Sequence, residues 1–210
     1  MPDYRERRFA ARDGLMLYAR DYGDALAQRT PLLCLPGLTR NSADFDRVAR
    51  RLSDRRRVLC PDYRGRGRSA YDPQWRNYEA RVLIDDLAQL LALAGVERVV
   101  VLGTSLGGIL AMGLAVAKPL AVAGAILNDV GPAVEESGLG KIVRDIADDH
   151  PQPDWPAATQ VLRQALPQLM LATDEDWAEF ARGTYREGSD GMLHFDWDVK
   201  EGLTKRGGCR

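Results

Sequence analysis

Between Pro31 and Leu127, short apolar runs alternate with stretches whose apolar residues recur every three to four positions. Pro31–Leu35, Arg57–Cys60, Arg98–Leu102 and Val122–Leu127 are the short runs, each bounded by turn-forming or charged residues. They read as buried strands, and the β-branched run from Val99 predicts a strand covered on both faces. The intervening stretches read as helices. Asn41–Leu52 carries Phe45, Val48, Ala49 and Leu52 on one face, with Asn41 or Ser42 as cap. Tyr78–Ala94 carries the stripe Leu83, Leu87, Leu90, Leu91 and Ala94, with Gly95 as its stop. Leu106–Ala117 is small and apolar, suited to close packing on a sheet. This alternation predicts an α/β fold with a mostly parallel, doubly wound sheet. Ahead of it, Asp13-Gly14 separates Arg8–Arg12 from Leu15–Tyr22, which predicts an antiparallel N-terminal hairpin at one edge.

After Pro132 the period changes. Val134–Ala147, Trp155–Met170 and Thr173–Thr184 read as three helices, the first two separated by Pro151, Pro153 and Pro156. The expected organisation is a core over 1–132, a helical cap over 133–190, and a return segment over 191–210 with a polar tail.

Composition narrows the classes. The net charge is −1, with 29 basic and 30 acidic residues, and a nucleic-acid surface would need a basic cluster. The densest basic stretch, Arg50–Arg57 with Arg64, Arg66 and Arg68 behind it, reads as a solvated helix end and loop. The three cysteines are an odd number, and no secretory leader is apparent, which argues against a disulfide framework. Cys34 and Cys60 lie in strand-like runs as small buried apolar residues, while Cys209 lies in the tail. No apolar run approaches the roughly 20 residues that cross a bilayer. The expectation is a cytoplasmic protein without membrane or nucleic-acid partners.

The sharpest chemical signal is Gly103-Thr-Ser-Leu-Gly-Gly108, which follows a strand and opens a helix. A strand that turns straight into a helix forces its corner residue, Ser105, into a strained conformation with its side chain free at the sheet's carboxyl edge. The helix N-terminus beneath it favours developing negative charge. Leu35-Pro-Gly-Leu38 ends an earlier strand. Acyl transfer needs two donors aimed at the oxyanion, and the N–H groups of Leu106 and Leu38 are the candidates. The alternatives are a glycine-rich turn with an incidental serine and a plain Pro-Gly turn. A dinucleotide fingerprint is a poorer reading, since the spacing is not Gly-x-Gly-x-x-Gly.

Pro36-Gly37, Asp62-Tyr-Arg-Gly-Arg-Gly-Arg-Ser69, the elbow at Ser105 and Leu127-Asn-Asp-Val-Gly-Pro132, in this order and spacing, resemble the α/β-hydrolase fold family. The resemblance covers roughly residues 8 to 132, and Pro36-Gly37 stands where many members carry His-Gly. It implies an eight-stranded sheet, a helical cap after the sixth strand, and a Ser–acid–His triad. It also implies a reaction without metal or organic cofactor. A serine corner resembles esterases, lactonases, carbon–carbon-bond hydrolases and cofactor-free haloperoxidases, whereas epoxide hydrolases and haloalkane dehalogenases carry Asp there.

The resemblance places the triad histidine after the eighth strand and the acid after the seventh. The chain ends near where a seventh strand would begin, so the expectation is that the fold's C-terminal strands are missing. His150 reads as a solvated helix end and His194 as the cap's return. Asp129 is a weak acid candidate whose alternative is a turn cap into Gly131-Pro132. Asp62 reads as a loop-organising acceptor, and Asp196 and Asp198 are weaker acid candidates. Trp155, Trp177 and Met170 are expected to shape an apolar pocket over Ser105. The functional expectation is a serine hydrolase acting on a small ester, lactone or related carbonyl substrate through an acyl-enzyme at Ser105. The alternative is a catalytically inactive remnant that binds a small molecule or a partner, prone to homo-oligomerisation or aggregation through the edge of Val122–Leu127.

Overall fold

The structure, a computed structural model, describes residues 3–130 and 148–199. The hairpin forms as expected. β1 (Tyr4–Ala10) pairs antiparallel with β2 (Met16–Tyr22), in register from Tyr4–Tyr22 to Ala10–Met16. Then come β3 (Leu32–Leu35), α1 (Asp46–Ser53), β4 (Val58–Asp62), α2 (Ala80–Leu93), β5 (Val99–Thr104), α3 (Leu106–Ala117) and β6 (Val122–Asn128). The six strands make one sheet in the order β1-β2-β4-β3-β5-β6. β4, β3, β5 and β6 are parallel, and β2 meets β4 antiparallel.

Alternate residues of the same strands feed two cores, as a period of two requires. Leu33, Leu35, Leu59, Val99 and Val101 face Leu83, Leu87 and Leu90 of α2 and Leu110 and Leu114 of α3. Leu32, Cys34, Val58 and Cys60 face Phe45 and Ala49 on the other side. Each fully buried leucine contributes about 1.5–3 kcal/mol relative to exposure. Both described cysteines are free and buried, as expected of small apolar residues.

Several expectations need correction. The helix expected over Asn41–Leu52 is split: a 3₁₀ turn over Ser42–Phe45, capped by the Asn41 side chain, precedes α1. β5 is not covered equally on both faces; Val99 and Val101 are buried and Val100 and Leu102 only half-buried. β6 was expected to be buried, yet Ala123–Asn128 are exposed, because among the described residues it lies at the sheet's edge. The basic loop is not solvated throughout. Arg57 is buried in a bidentate pair with Asp21 at 2.9 and 3.0 Å, and Arg64 and Arg66 are each 1% exposed.

Val134–Ala147 lies outside the described residues. The next helix, α4 (Trp155–Ala165), stops before Pro167 rather than reaching Met170. α5 (Asp174–Arg182) opens with a capping box in which Thr173 and Asp176 satisfy each other's backbone N–H groups. A strand pair then appears that the periodicity did not suggest: β7 (Tyr185–Glu187) and β8 (Leu193–Phe195), antiparallel across positions 190–191, where the cap was expected to end. α4, α5 and this hairpin share a small core of Ala158, Leu162, Trp177, Ala181, Tyr185 and Leu193. No helix among the described residues is long and apolar enough to cross a membrane.

Candidate active site

Ser105 ends β5 and immediately precedes α3, with φ +52° and ψ −115°, a region that a side chain occupies only under strain of about 1–3 kcal/mol. The surrounding backbone holds it there. Its N–H donates to the Asn128 carbonyl at 3.0 Å, and its own carbonyl accepts from Gly108 at 2.9 Å and Ile109 at 3.2 Å. The corner closes only with glycine on both sides. A Cβ at Gly103 would lie 2.5 Å from the Gly107 carbonyl carbon, and one at Gly107 would lie 2.6 Å from that of Leu35.

The loop after β3 runs against this corner: a Cβ at Gly37 would lie 3.8 Å from the Ser105 Cβ. Residues 37–40 form a turn closed by the Arg40 N–H on the Gly37 carbonyl at 3.2 Å. Two buried side chains from the loop after β4 brace it. The Tyr63 hydroxyl donates to the Pro36 carbonyl at 3.1 Å. Arg66, stacked over the Tyr63 ring at 5.0 Å, donates through Nη1 to the carbonyls of Gly37 and Leu38. The N–H of Leu38 has no acceptor among the described residues, and neither does that of Leu106 at the first position of α3. The two candidate donors therefore come from neighbouring segments, one carrying Gly37 and the other Ser105.

Asp62 is the loop organiser expected of it. Its carboxylate accepts from the N–H groups of Ser42 at 2.7 Å and Arg68 at 2.9 Å, and burial pushes its pKa up. Asp129 stands one residue beyond β6, exposed and with φ +55°. Thr104 and Asn128 are register partners, so Ser105 and Asp129 emerge at the same sheet edge.

Neither histidine is joined to Ser105 by a hydrogen bond among the described residues. His194 sits on β8 with Nδ1 2.5 Å from Asp149 and Nε2 3.1 Å from Asp190. These carboxylates, Asp149 first, raise its pKa above the ordinary 6.5. Both ring nitrogens face carboxylates, and the protonated ring satisfies both. An NMR titration of its ring protons is expected to give a midpoint above 6.5, moving down towards it in Asp149→Asn. His150 lies edge-on to Phe195, with ring centroids 6.4 Å apart.

Asp196 and Asp198 tie the end of the described chain to the core. Asp198 accepts from the Tyr78 hydroxyl at 2.7 Å. Asp196 accepts from Asn41 Nδ2 at 2.8 Å, and burial, with Asp62 nearby, pushes it up to about 6. The expected apolar pocket is corrected in its walls. Trp177 is consumed by the small core that α4, α5 and the β7–β8 hairpin share, and Met170, left-handed at the end of a 3₁₀ turn, is 85% exposed. The sequence reading missed Tyr63 and Arg66 as braces; their position inside the Asp62–Ser69 motif was the available signal. Among the described residues no cluster of three metal-ligating side chains occurs.

A mostly parallel sheet with a strained serine between strand and helix fits one class, and the sequence over residues 30–200 matches the α/β hydrolase fold family. The chain belongs to that family. It is 34% identical over 188 residues to a 3-hydroxybutyrate-oligomer hydrolase of Cupriavidus necator, a match covering 84% of this chain and 61% of that protein. It superposes on the crystal structure of an α/β hydrolase from Novosphingobium aromaticivorans with a TM-score of 0.89 and 42% identity, covering 96% of this chain and 70% of that one. The crystal structure of E-2-(acetamidomethylene)succinate hydrolase matches at a TM-score of 0.83 and 26% identity, with 97% and 73% covered. The chain thus spans about three fifths to three quarters of these relatives.

Proposed function

We propose that the chain carries the nucleophile and oxyanion donors of a serine hydrolase acting on a small ester, lactone or related carbonyl compound. The observation that carries this reading is the positive-φ Ser105 immediately before α3, with the Gly37 loop placed so that a Cβ added at Gly37 would meet the Ser105 Cβ at 3.8 Å. Ser105 Oγ attacks the carbonyl carbon and its proton passes to a base. The N–H groups of Leu106 and Leu38 take the charge that forms on the carbonyl oxygen. The alcohol leaves with a proton, and water then cleaves the acyl-enzyme to release the acid. Asp129 is the proposed acid at the same edge. Among the described residues no histidine is placed to accept the serine proton, so the reaction is expected to be slow in this chain alone. The names of the relatives make 3-hydroxybutyrate oligomers and 2-(acetamidomethylene)succinate the first compounds to test.

A fluorophosphonate probe followed by peptide mass spectrometry tests the reading. Slow modification confined to Ser105 and lost in Ser105→Ala is expected. Modification elsewhere, or none above a denatured control, rejects it. The latter outcome favours the second reading, a non-catalytic binding domain, which the pairing of His194 with two carboxylates supports.

A further inference from the structure

The turn that carries Leu38 is held from two directions, and only one of them is the core. Arg66 and Tyr63 hold its carbonyls from below. Its last residue, Arg40, and the residue that follows it, Asn41, reach the other way, into the cap. Arg40 lays its guanidinium over the Phe180 ring of α5 at 4.0 Å and donates to Thr184 Oγ1 at 2.5 Å, while Asp44 takes its remaining edge at 2.5 and 2.8 Å. Its stem packs 3.7 Å from where a Gly37 Cβ would stand. Asn41, 7% exposed, spends its whole side chain at the seam. Nδ2 donates to the Gly183 carbonyl at 3.2 Å and to Asp196 at 2.8 Å, and Oδ1 accepts from Ala43 at 3.0 Å. The same seam is sewn from the core side, where Gly67 N–H donates to the Asp196 carbonyl and Asp198 N–H to that of Gly65.

We infer that Arg40 and Asn41 are positioning residues through which the docked cap sets the Leu38 amide. The inference rests on the hydrolase reading for its consequence, though not for its geometry. A four-residue turn closed by one hydrogen bond of 3.2 Å has little rigidity of its own. Its flanks decide where Leu38 N–H points, and an oxyanion donor loses most of its effect when it is displaced by a fraction of an ångström. The carboxylates facing this seam are Asp44, Asp62 and Asp196. The cations are Arg40 and Arg186, with Arg20, Arg68 and Arg182 lining the same cavity of about 340 Å³.

Asn41→Asp isolates the cap-facing function. It keeps the acceptor for Ala43 N–H, removes the donor to Gly183 and Asp196, and sets a further carboxylate beside Asp62 and Asp196. Combining it with Asp196→Asn restores one donor–acceptor pair with the roles exchanged. In the full chain, Asn41→Asp is expected to slow the bond-forming step of Ser105 labelling about tenfold, the scale of one lost buried hydrogen bond, with probe binding unchanged. Amide exchange at Arg40, in the turn, and at Asp196, in the cap, is expected to accelerate together. The double variant is expected to bring both quantities back to within about threefold of the unsubstituted chain, since it restores the shorter of the two Asn41 bonds while the Gly183 bond stays lost.

Exchange at Asp196 that accelerates while Arg40 exchange stays fixed overturns the inference. So does a single variant that labels at the original rate. Should Asn41→Asp fail to fold, Thr184→Val removes an Arg40 partner without adding charge and must raise Arg40 exchange by itself. Should the unsubstituted chain not label, the nucleophile reading fails, and the exchange data alone decide whether cap and turn are coupled.

Discussion

Gly107→Ala is expected to destabilise the chain by about 3 kcal/mol or more and to lower its melting temperature by roughly 10 °C, measured by calorimetry or circular dichroism. The added methyl carbon would stand 2.6 Å from the Leu35 carbonyl carbon and 2.9 Å from its Cβ, where real contacts begin near 3.4 Å. Leu35 cannot give way as a flexible side-chain tip would. It closes β3, a strand with parallel neighbours on both sides, and it is fully buried. The remaining option is for α3 to lift away from the sheet, which opens the packing of Leu110 and Leu114 and withdraws Ser105 from the Gly37 loop. Labelling of Ser105 is therefore expected to fall by more than the lost folded fraction explains. Gly124→Ala on β6 is the control, because nothing among the described residues lies within 4 Å of its added carbon; a change under about 0.5 kcal/mol is expected there. Two variants that melt alike would show that the elbow is not closed by steric contact.

The parallel strands, α3 and the first hairpin were legible because each is specified locally. A run of four to six apolar residues cannot bury itself as a helix, and Asp13-Gly14 marks its own turn. The same dipeptide, Asp190-Gly191, sits between β7 and β8, and a turn rule applied there would have found the second hairpin. The helical period of the residues before it, Trp155–Thr184, masks that signal. Burial was less legible than element type. Whether β6 is covered depends on what lies beside it in space, and its seven residues read the same in either case. The end of α4 at Ala165 follows from Pro167, and Met170 is exposed because the chain turns left-handed there, so a residue that looks like a pocket wall in sequence lies on the surface.

Of the site, the corner and its two glycines were readable, since the chemistry of a strand-to-helix turn dictates them. The support around it was legible only as a motif, in which Tyr63 and Arg66 lie, and not as contacts. Arg40, Asn41, Tyr63 and Arg66 act over sequence separations of 27 to 155 residues, and nothing in a polar loop announces which of its side chains will be buried. Charge was the most misleading signal of all. A dense basic stretch suggests solvent, yet Arg57 and Arg64 are interior ties.

Arg64→Met is accordingly expected to cost about 3–5 kcal/mol, despite replacing a charged residue with an apolar one of similar length. Arg64 forks onto Asp86 with two bonds of 2.7 Å and meets Asp72 at 2.6 Å and Asp13 at 2.8 Å. Removing it leaves Asp86 and Asp72 in the interior with no cation among these partners. Asp86 already titrates above the usual carboxylate range because of burial, with Arg64 opposing that rise. Without Arg64 its folded-state pKa climbs further above the unfolded value. A carboxyl raised in the folded state stabilises below its unfolded pKa and progressively loses that contribution as pH rises through the folded one. The deficit of the variant is therefore expected to be greatest at pH 7–8 and to shrink towards pH 5, by urea denaturation at each pH. Asp13 runs the other way in the unsubstituted chain. Arg64 holds it low against its burial, so its contribution is present above pH 3.8 and is lost as pH falls, which narrows the gap from the other side. Adding Asp86→Leu to Arg64→Met removes the stranded charge and is expected to return more than half of the loss. A single variant within about 1 kcal/mol of the unsubstituted chain at pH 7 would mean that water reaches Asp86 and Asp72, and that the cluster is not the dry tie it forms between the sheet and α2.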